Sequence, residues 1–390
     1  MLSLYLHFPF CKRKCFYCDF FSMAAERAEI AAYCAALEKE ISLMAGKYAH
    51  MPVDTVFIGG GTPSIVPESL MDGVLAAVRN HFTIAEGAEF TSEANPGTLR
   101  DGWLNTMVAN GMNRLSIGVQ AQQEHLLKLL GRMHDFPMAL AAFAMAKKHG
   151  ITNINADAMF GLPKQGVSDY VETLRALADA GATHLSAYAL QVEEGTLLAA
   201  QVAEGTLRVP NQDETADMLE AGISSLSNLG FERYEISNYA RPGFACRHNI
   251  GYWTQKHYLG LGVSAASHLP ASPDATPAVY TRRQNTHDIK QYMAALAEGV
   301  LPPASVTGVA AKEAMFETVM LGLRMVQGLR YADFAALHGQ TLQAVYGEAI
   351  RKLTNEGLLE TPCVNEPRLM LTARGLAVQN TALMAFLQED

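Results

Sequence analysis

The first half of the chain alternates two kinds of hydrophobic pattern. Short strand-like runs, Ser3 to Phe8, Thr55 to Ile58, Glu89 to Ala94, Arg114 to Val119, Asn153 to Met159 and His184 to Leu190, punctuate longer segments in which Ala, Leu and Met recur at helical spacing. Those segments run Glu26 to Lys47, Pro67 to His81, Gly102 to Gly111, Gln123 to Leu130, Pro137 to Gly150 and Ser168 to Gly181. Several close on glycine, which takes the left-handed turn at a helix end without steric cost. Six strand-helix units in series predict an α/β protein with a parallel sheet, because each helix returns the chain across the sheet. In a barrel of that kind functional groups gather at the C-terminal ends of the strands.

A further helix is expected from Asn211 to Gly230, followed by strand-like runs at Tyr234 to Tyr239, His257 to Val263 and Val279 to Arg283. From Val306 the pattern is helix, helix, helix and hairpin: Lys312 to Met325, Tyr331 to His338, Thr341 to Glu356, then Leu358 to Thr361 with Arg368 to Leu371. That order is winged-helix-like. The chain therefore divides into a main unit, residues 1–230, an extension, residues 231–305, and a C-terminal unit, residues 306–390.

Composition narrows the partners. Hydrophobic residues make up 49% of the 390 and charged ones 18%, an ordinary globular balance. The net charge of −9 argues against a nucleic-acid footprint, which needs clustered Lys and Arg. The winged-helix-like unit carries seven Lys and Arg against nine Asp and Glu, so it lacks a basic recognition surface. The chain enters a strand at once, without signal-peptide character, and its longest apolar runs, such as Met138 to Ala146, fall short of the roughly 18 residues of a membrane span. A soluble, cytoplasmic protein is expected.

The chemistry concentrates after the first strand. Cys11, Cys15 and Cys18, half of the six cysteines, lie within eight positions. A structural zinc site needs a fourth ligand, and the next cysteine, Cys34, sits inside a helical pattern, so zinc would recruit a distant side chain. A 4Fe-4S cluster is normally held by four Cys, so three leave one iron open. Lys12, Arg13 and Lys14 would offset the thiolate charge. Cys34 and Cys363 read as small buried hydrophobes, and six cysteines so distributed form no disulfide framework.

Other candidates fall at strand ends. Gly59-Gly60-Gly61-Thr62 follows the second strand, where three glycines permit close approach of backbone to a polar ligand, or simply a tight turn. It fits neither the phosphate-binding loop nor the dinucleotide fingerprint. Glu93, Gln120 and Asp157 end the next three strands, and each alone would read as a satisfied buried polar group. Further on, Cys246-Arg247-His248-Asn249-Ile250-Gly251-Tyr252-Trp253 packs His, Tyr and Trp into six positions. That patch reads as interface packing or as a haem or metal site, since haem iron accepts His or Tyr.

The three-residue and then two-residue cysteine spacing resembles the radical S-adenosylmethionine (radical SAM) superfamily. There the open iron chelates the amino and carboxylate groups of SAM, and one electron cleaves the sulfonium to a 5'-deoxyadenosyl radical. Tyr5-x-His7-x-Pro9-Phe10-Cys11 is similar to the oxygen-independent coproporphyrinogen III oxidase group, and His248-Asn249-x-x-Tyr252-Trp253 to its relatives, the HemW-type haem chaperones. The resemblance implies a partial (β/α)6 TIM-like barrel with a small β-containing extension and a winged-helix-like end without a DNA role. It implies that Gly59, Gly60, Gly61 and Thr62 contact the SAM amino group, Glu93 its ribose or methionine part, Arg132 its carboxylate, and Gln120 and Asp157 the ribose hydroxyls. Tyr5 and Tyr188 would neighbour SAM or pack the barrel core. His248 and Tyr252 would ligate haem, with Cys246 a less suited third.

Two functions follow from the resemblance: a haem chaperone that passes haem to an acceptor protein, or the oxidase, which removes carbon dioxide from propionate side chains. The oxidase carries a further Cys where this chain has Phe20, and a longer stretch before the cluster than the ten residues preceding Cys11, so the chaperone is expected. Relatives place a His near the position of Ala266, where here His268 lies two residues on. A homodimer is also implied. An RNA-modifying enzyme is disfavoured by the acidic balance.

Overall fold

The computed structural model describes residues 1–271, 278–361 and 366–387; Cys363 lies outside them. Strand β1 (Leu2–Phe8) alternates as its sequence does. Leu2, Leu4, Leu6 and Phe8 are fully buried under helices, while Ser3, Tyr5 and His7 point to the opposite face. The chain then runs α1 (Arg27–Tyr48), β2 (Val53–Gly60), α2 (Glu68–His81), β3 (Ile84–Ala94), α3 (Asp101–Ala109), β4 (Arg114–Gln120), α4 (Glu124–Leu129), α5 (Phe136–Lys148), β5 (Asn153–Phe160), α6 (Val167–Ala180) and β6 (His184–Ala189). Strands β1 to β6 pair in sequence order and in parallel. This is the sheet that the hydrophobic pattern predicts, with every expected helix in place between its strands.

After α7 (Leu197–Ala203) and α8 (Gln212–Asn228), two short strands, β7 (Glu232–Arg233) and β8 (Asn238–Ala240), replace the single run expected over Tyr234 to Tyr239. Strand β8 adds antiparallel to β6. Next come α9 (Arg247–Trp253), β9 (Tyr258–Leu261), β10 (Ala266–Pro270), β11 (Ala278–Asn285), α10 (Ile289–Ala297) and β12 (Ala304–Ala310). Strand β9 pairs in parallel with the free edge of β1, and β10, β11 and β12 follow antiparallel. The stretch 231–310 thus continues both edges of the main sheet, with β12 running across residue 305. Among the described residues its terminal strands, β12 and β7, do not pair, so the sheet stays an open partial barrel.

One apolar core lies between the sheet and helices α1, α2, α3, α5, α6, α8 and α10; a second joins α11 (Ala311–Gly322), α12 (Tyr331–His338) and α13 (Leu342–Asn355). The hairpin expected at 358–361 and 368–371 takes another form. Leu359 and Leu371 make one antiparallel bridge, while β14 (Arg368–Leu369) pairs with β13 (Leu329–Arg330). Gly328 allows this with φ +64°, since a Cβ there would stand 2.1 Å from the Leu369 carbonyl oxygen. The C-terminal unit docks through α11 and the turn that follows it. Val326 N donates to Tyr234 O at 3.0 Å, and the Arg324 guanidinium lies 4.4 Å from the centre of the Trp253 ring. No helix among the described residues is long and apolar enough to cross a membrane.

Candidate functional site

The C-terminal ends of the parallel strands open into a cavity of about 570 Å³. Its wall joins the three cysteines of the loop after β1 to Tyr5, Gly60, Gly61, Thr62, Glu93, Gln120, Arg132, Asp157, Tyr188, His248 and Tyr252. Residues far apart in sequence meet because Tyr5, Gly60, Glu93, Gln120, Asp157 and Tyr188 come from successive parallel strands, while the cysteines, Gly61, Thr62 and Arg132 come from loops and His248 and Tyr252 from α9. Two candidates lie off the wall. Gly59 packs behind it, where a Cβ would meet the Glu93 carboxyl at 2.9 Å, and Cys246 is fully buried with its thiol donating to Glu89 at 3.4 Å.

Cys11, Cys15 and Cys18 are each partly exposed, with hydrogen-bonding groups already at two sulfurs. Cys11 Sγ lies 3.4 Å from Thr62 Oγ1, and Arg132 Nη1 donates to Cys15 Sγ at 3.4 Å. Burial, with Cys15 and Cys11 close by, raises the pKa of Cys18 against the lowering effects of the Phe20 backbone and Lys14. Two of the basic residues brace the loop: Arg13 donates to Gly131 O at 2.6 Å and Lys14 to Phe20 O at 3.1 Å. Among the described residues no three His, Cys, Asp or Glu converge as they would on a single metal ion. Three separated thiols at one rim suit a cluster instead, where each thiolate takes its own iron.

The glycines serve packing first. Gly60 has φ +106° and lies so close to His7 that a Cβ would stand 2.5 Å from its ring, and a Cβ on Gly61 would strike the Phe10 backbone at 2.6 Å. The backbone N–H groups are spent within the fold: Gly60 N donates to Glu93 Oε2 at 3.2 Å, Gly61 N to Phe8 O and Thr62 N to Phe10 O, both at 2.7 Å. The amides of Gly60, Gly61 and Thr62 are therefore occupied, which leaves carbonyls as the backbone groups for a ligand. His7 is neutral, its pKa lowered to about 4 by burial. Its Nε2 donates to Phe21 O at 3.1 Å, so Nδ1 accepts from the Tyr5 hydroxyl at 3.0 Å and Tyr5 turns a lone pair toward the cavity.

Burial, then the neighbouring Asp157, raises the Glu93 pKa to about 8, with the Gly60 amide acting the other way. Burial also raises Asp157, against Asn155, Arg132, Ser186 and Arg114. Gln120 holds φ 76°, a left-handed backbone uncommon outside glycine. Arg132 donates through Nη2 to Gly118 O, while its Nε is buried without a partner, an orphan donor that a bound carboxylate would satisfy.

Deeper in the barrel lies a polar layer that sequence reasoning missed. Asn155 Nδ2 donates to Ser116 and to Asp157, both at 2.8 Å; its Oδ1 lies 2.6 Å from His184 Nδ1 and accepts from Ser186 at 3.1 Å. Arg114 is buried beside them and lines the cavity. The signal was present: Arg114, Ser116, Gly118 and Gln120, or Asn155 and Asp157, are polar or small at alternate positions of strands whose other face is apolar.

His248 and Tyr252 lie on α9, a helix whose N-terminus is closed by the Glu89 carboxylate. Arg247 N and His248 N each donate to it at 2.9 Å. His248 is 1% exposed. Its Nδ1 lies 2.8 Å from Thr55 Oγ1 and its Nε2 3.0 Å from the Tyr252 hydroxyl. Burial, then the charges of Lys256 and Arg114, lower its pKa to about 3, so the ring is neutral.

A parallel strand-helix sheet with three thiols at its mouth and a polar cavity behind them defines a radical SAM protein. The Radical SAM superfamily model matches residues 5–177 and the HemN C-terminal domain model residues 309–378. The chain belongs to the HemW family within that superfamily: it is 32% identical to heme chaperone HemW of Bacillus subtilis, over 100% of both chains, and 32% identical to that of Escherichia coli, over 100% of this chain and 98% of the relative. Coproporphyrinogen III oxidase (HemN) of Escherichia coli has the same fold, with a TM-score of 0.83 at 24% identity over 99% of this chain and 89% of that one.

Proposed function

We propose that this chain is a haem chaperone, which binds haem and hands it to an acceptor protein while carrying a SAM-ligated 4Fe-4S cluster. The observation behind this reading is the similarity to heme chaperones HemW along the whole chain. In this reading Cys11, Cys15 and Cys18 hold three irons and leave the fourth for SAM. When bound, such a cluster supplies an electron to the SAM sulfonium. Arg132 offers its unpartnered Nε to the SAM carboxylate, Gly60, Gly61 and Thr62 offer carbonyls to the amino group, and Glu93 takes the ribose or methionine part. Gln120 and Asp157 meet the ribose hydroxyls, with Tyr5 and Tyr188 as walls. Haem is cargo. For its iron the resemblance offers His248 and Tyr252, whose polar atoms already engage one another.

The working protein is envisaged as a barrel, residues 1–230, completed by the extension 231–305 and a C-terminal unit 306–390. It would act as a homodimer in the cytoplasm, without nucleic acid. The oxidase alternative draws no support from the HemN likeness, which at 24% identity is one of fold. Phe20, 66% exposed at the cavity rim, stands where the resemblance puts an additional oxidase cysteine.

The test pairs two assays on the anaerobically reconstituted chain. Haem transfer to an apo-acceptor is expected, and conversion of coproporphyrinogen III to protoporphyrinogen IX is not; conversion with SAM at a sustained rate would overturn the reading. Cys15→Ala should lose the cluster, read as iron and sulfide content, and unchanged content would move the cluster elsewhere.

A further inference from the structure

We infer that Arg114, on the floor of the cluster cavity, is a carboxylate-binding residue that takes a propionate of the haem cargo. The inference rests on the reading that the chain binds haem.

Arg114 opens β4 on its inward face, in the file Arg114, Ser116, Gly118 and Gln120 that lines the cavity. The residue is 2% exposed, and its guanidinium stays cationic at every pH the protein meets. Five N–H donors come with that charge, and burial makes each of them costly without an acceptor. Nε is buried without a partner. Two carboxylates stand within reach of the charge, Glu89 and Asp157, but both are engaged elsewhere. Glu89 accepts from Arg247 N and His248 N at 2.9 Å and from the Cys246 thiol at 3.4 Å, and Asp157 accepts from Asn155 Nδ2 at 2.8 Å. A buried cation whose neighbouring anions are committed to other donors is a receptor for an anion from outside, and a planar fork of N–H groups suits a carboxylate.

That carboxylate is not the one Arg132 serves. Arg132 grips Gly118 O near the mouth, where its other terminal nitrogen reaches Cys15. Arg114 starts the strand four residues earlier, about 14 Å along it, below the layer in which Asn155 bonds Ser116. SAM has a single carboxylate, so Arg114 needs a second molecule. Haem carries propionates, and the residues offered for its iron lie on the same wall. His248 and Tyr252 line the cavity with Arg114, which is close enough to His248 to act on its ring by charge. A propionate held at the floor would fix which edge of the porphyrin enters first, and a single ion pair can be released again when the cargo is handed on.

The experiment titrates the anaerobically reconstituted full chain with haem and with haem dimethyl ester, which keeps iron and macrocycle but lacks free carboxylates, following the Soret band. The wild type should bind haem roughly 10- to 150-fold more tightly than the ester, the weight of a hydrogen-bonded contact to a charged group. Arg114→Gln should weaken haem binding to the level of the ester and leave ester binding unchanged. Arg114→Lys, which keeps the charge without the fork, should recover part of the preference. Where a variant fails to fold, the ester comparison on the wild type decides by itself. Equal binding of the two ligands by the wild type overturns the inference and leaves the chaperone reading standing. An Arg114→Gln protein that loses haem and ester affinity alike also overturns it, since the side chain would then serve the fold. If that variant loses SAM binding in equilibrium dialysis while its haem-to-ester ratio stays intact, the carboxylate belongs to SAM and the inference falls. A wild type that takes up neither porphyrin removes the chaperone reading together with the inference.

Discussion

Glu93 ends β3 with its carboxyl in the barrel, and burial more than any neighbour lifts its pKa to about 8. In the unfolded chain a Glu titrates near about 4.3. The folded protein therefore holds this proton over a range where the unfolded chain has released it, and the stabilising effect present below the unfolded value is lost as pH rises through about 8. Glu93→Gln cannot release a proton, so the cluster-free variant should lose less thermal stability than the wild type between about pH 4.5 and 8; parallel melting curves would refute the assignment. At this scale the sequence was informative where chemistry was dense. Cys11, Cys15, Cys18, Glu93, Gln120, Arg132 and Asp157 were all legible as candidates, and all line one cavity. Arg114 and Asn155 were marked only by alternation, which puts them on the polar face of their strands without saying which residues of other strands they will face. The glycines left amides, carbonyls or a plain tight turn open, and the contacts that decide among them come from groups remote in sequence. Glycine signals close approach, and here the approaching groups are His7 and the Phe10 backbone.

Elements long enough to show a period were readable, and short ones depended on partners remote in sequence. Helix α9 spans seven residues with a glycine inside and aromatic residues at its end, a poor helix former by propensity. It forms where Glu89, more than 150 positions earlier, caps its first amides. Glu89→Ala should destabilise the protein by about 1–3 kcal/mol, seen as a lower urea midpoint with unchanged slope, because buried donors lose their acceptor. Glu89→Gln, retaining one acceptor oxygen, should cost less; equal losses would show that the cap is not what matters. Strand β9 has four residues, too few for alternation to declare, and is defined by the β1 edge it fills. Strands β13 and β14 are shorter still, which is why the expected hairpin paired differently.

At the scale of the molecule, the segment after α11 meets α9 where Arg324 covers Trp253, one of two tryptophans. The other, Trp103, is fully buried, so a small quencher senses chiefly Trp253. Arg324→Ala removes a contact of about 0.5–2 kcal/mol and should raise acrylamide quenching of tryptophan emission; an unchanged quenching constant would place the docking energy elsewhere. The arrangement of the sheet also has a consequence in time. Strand β1 is made before β2, which follows it by some fifty residues, but its other edge is not filled until β9 is made, about 200 residues later. At roughly 5–20 residues per second that interval is on the order of ten to forty seconds, during which the strand that carries the cysteine loop has an open flank. The thiols of Cys11, Cys15 and Cys18 are accessible in that window, before the part of the sheet beyond β1 exists.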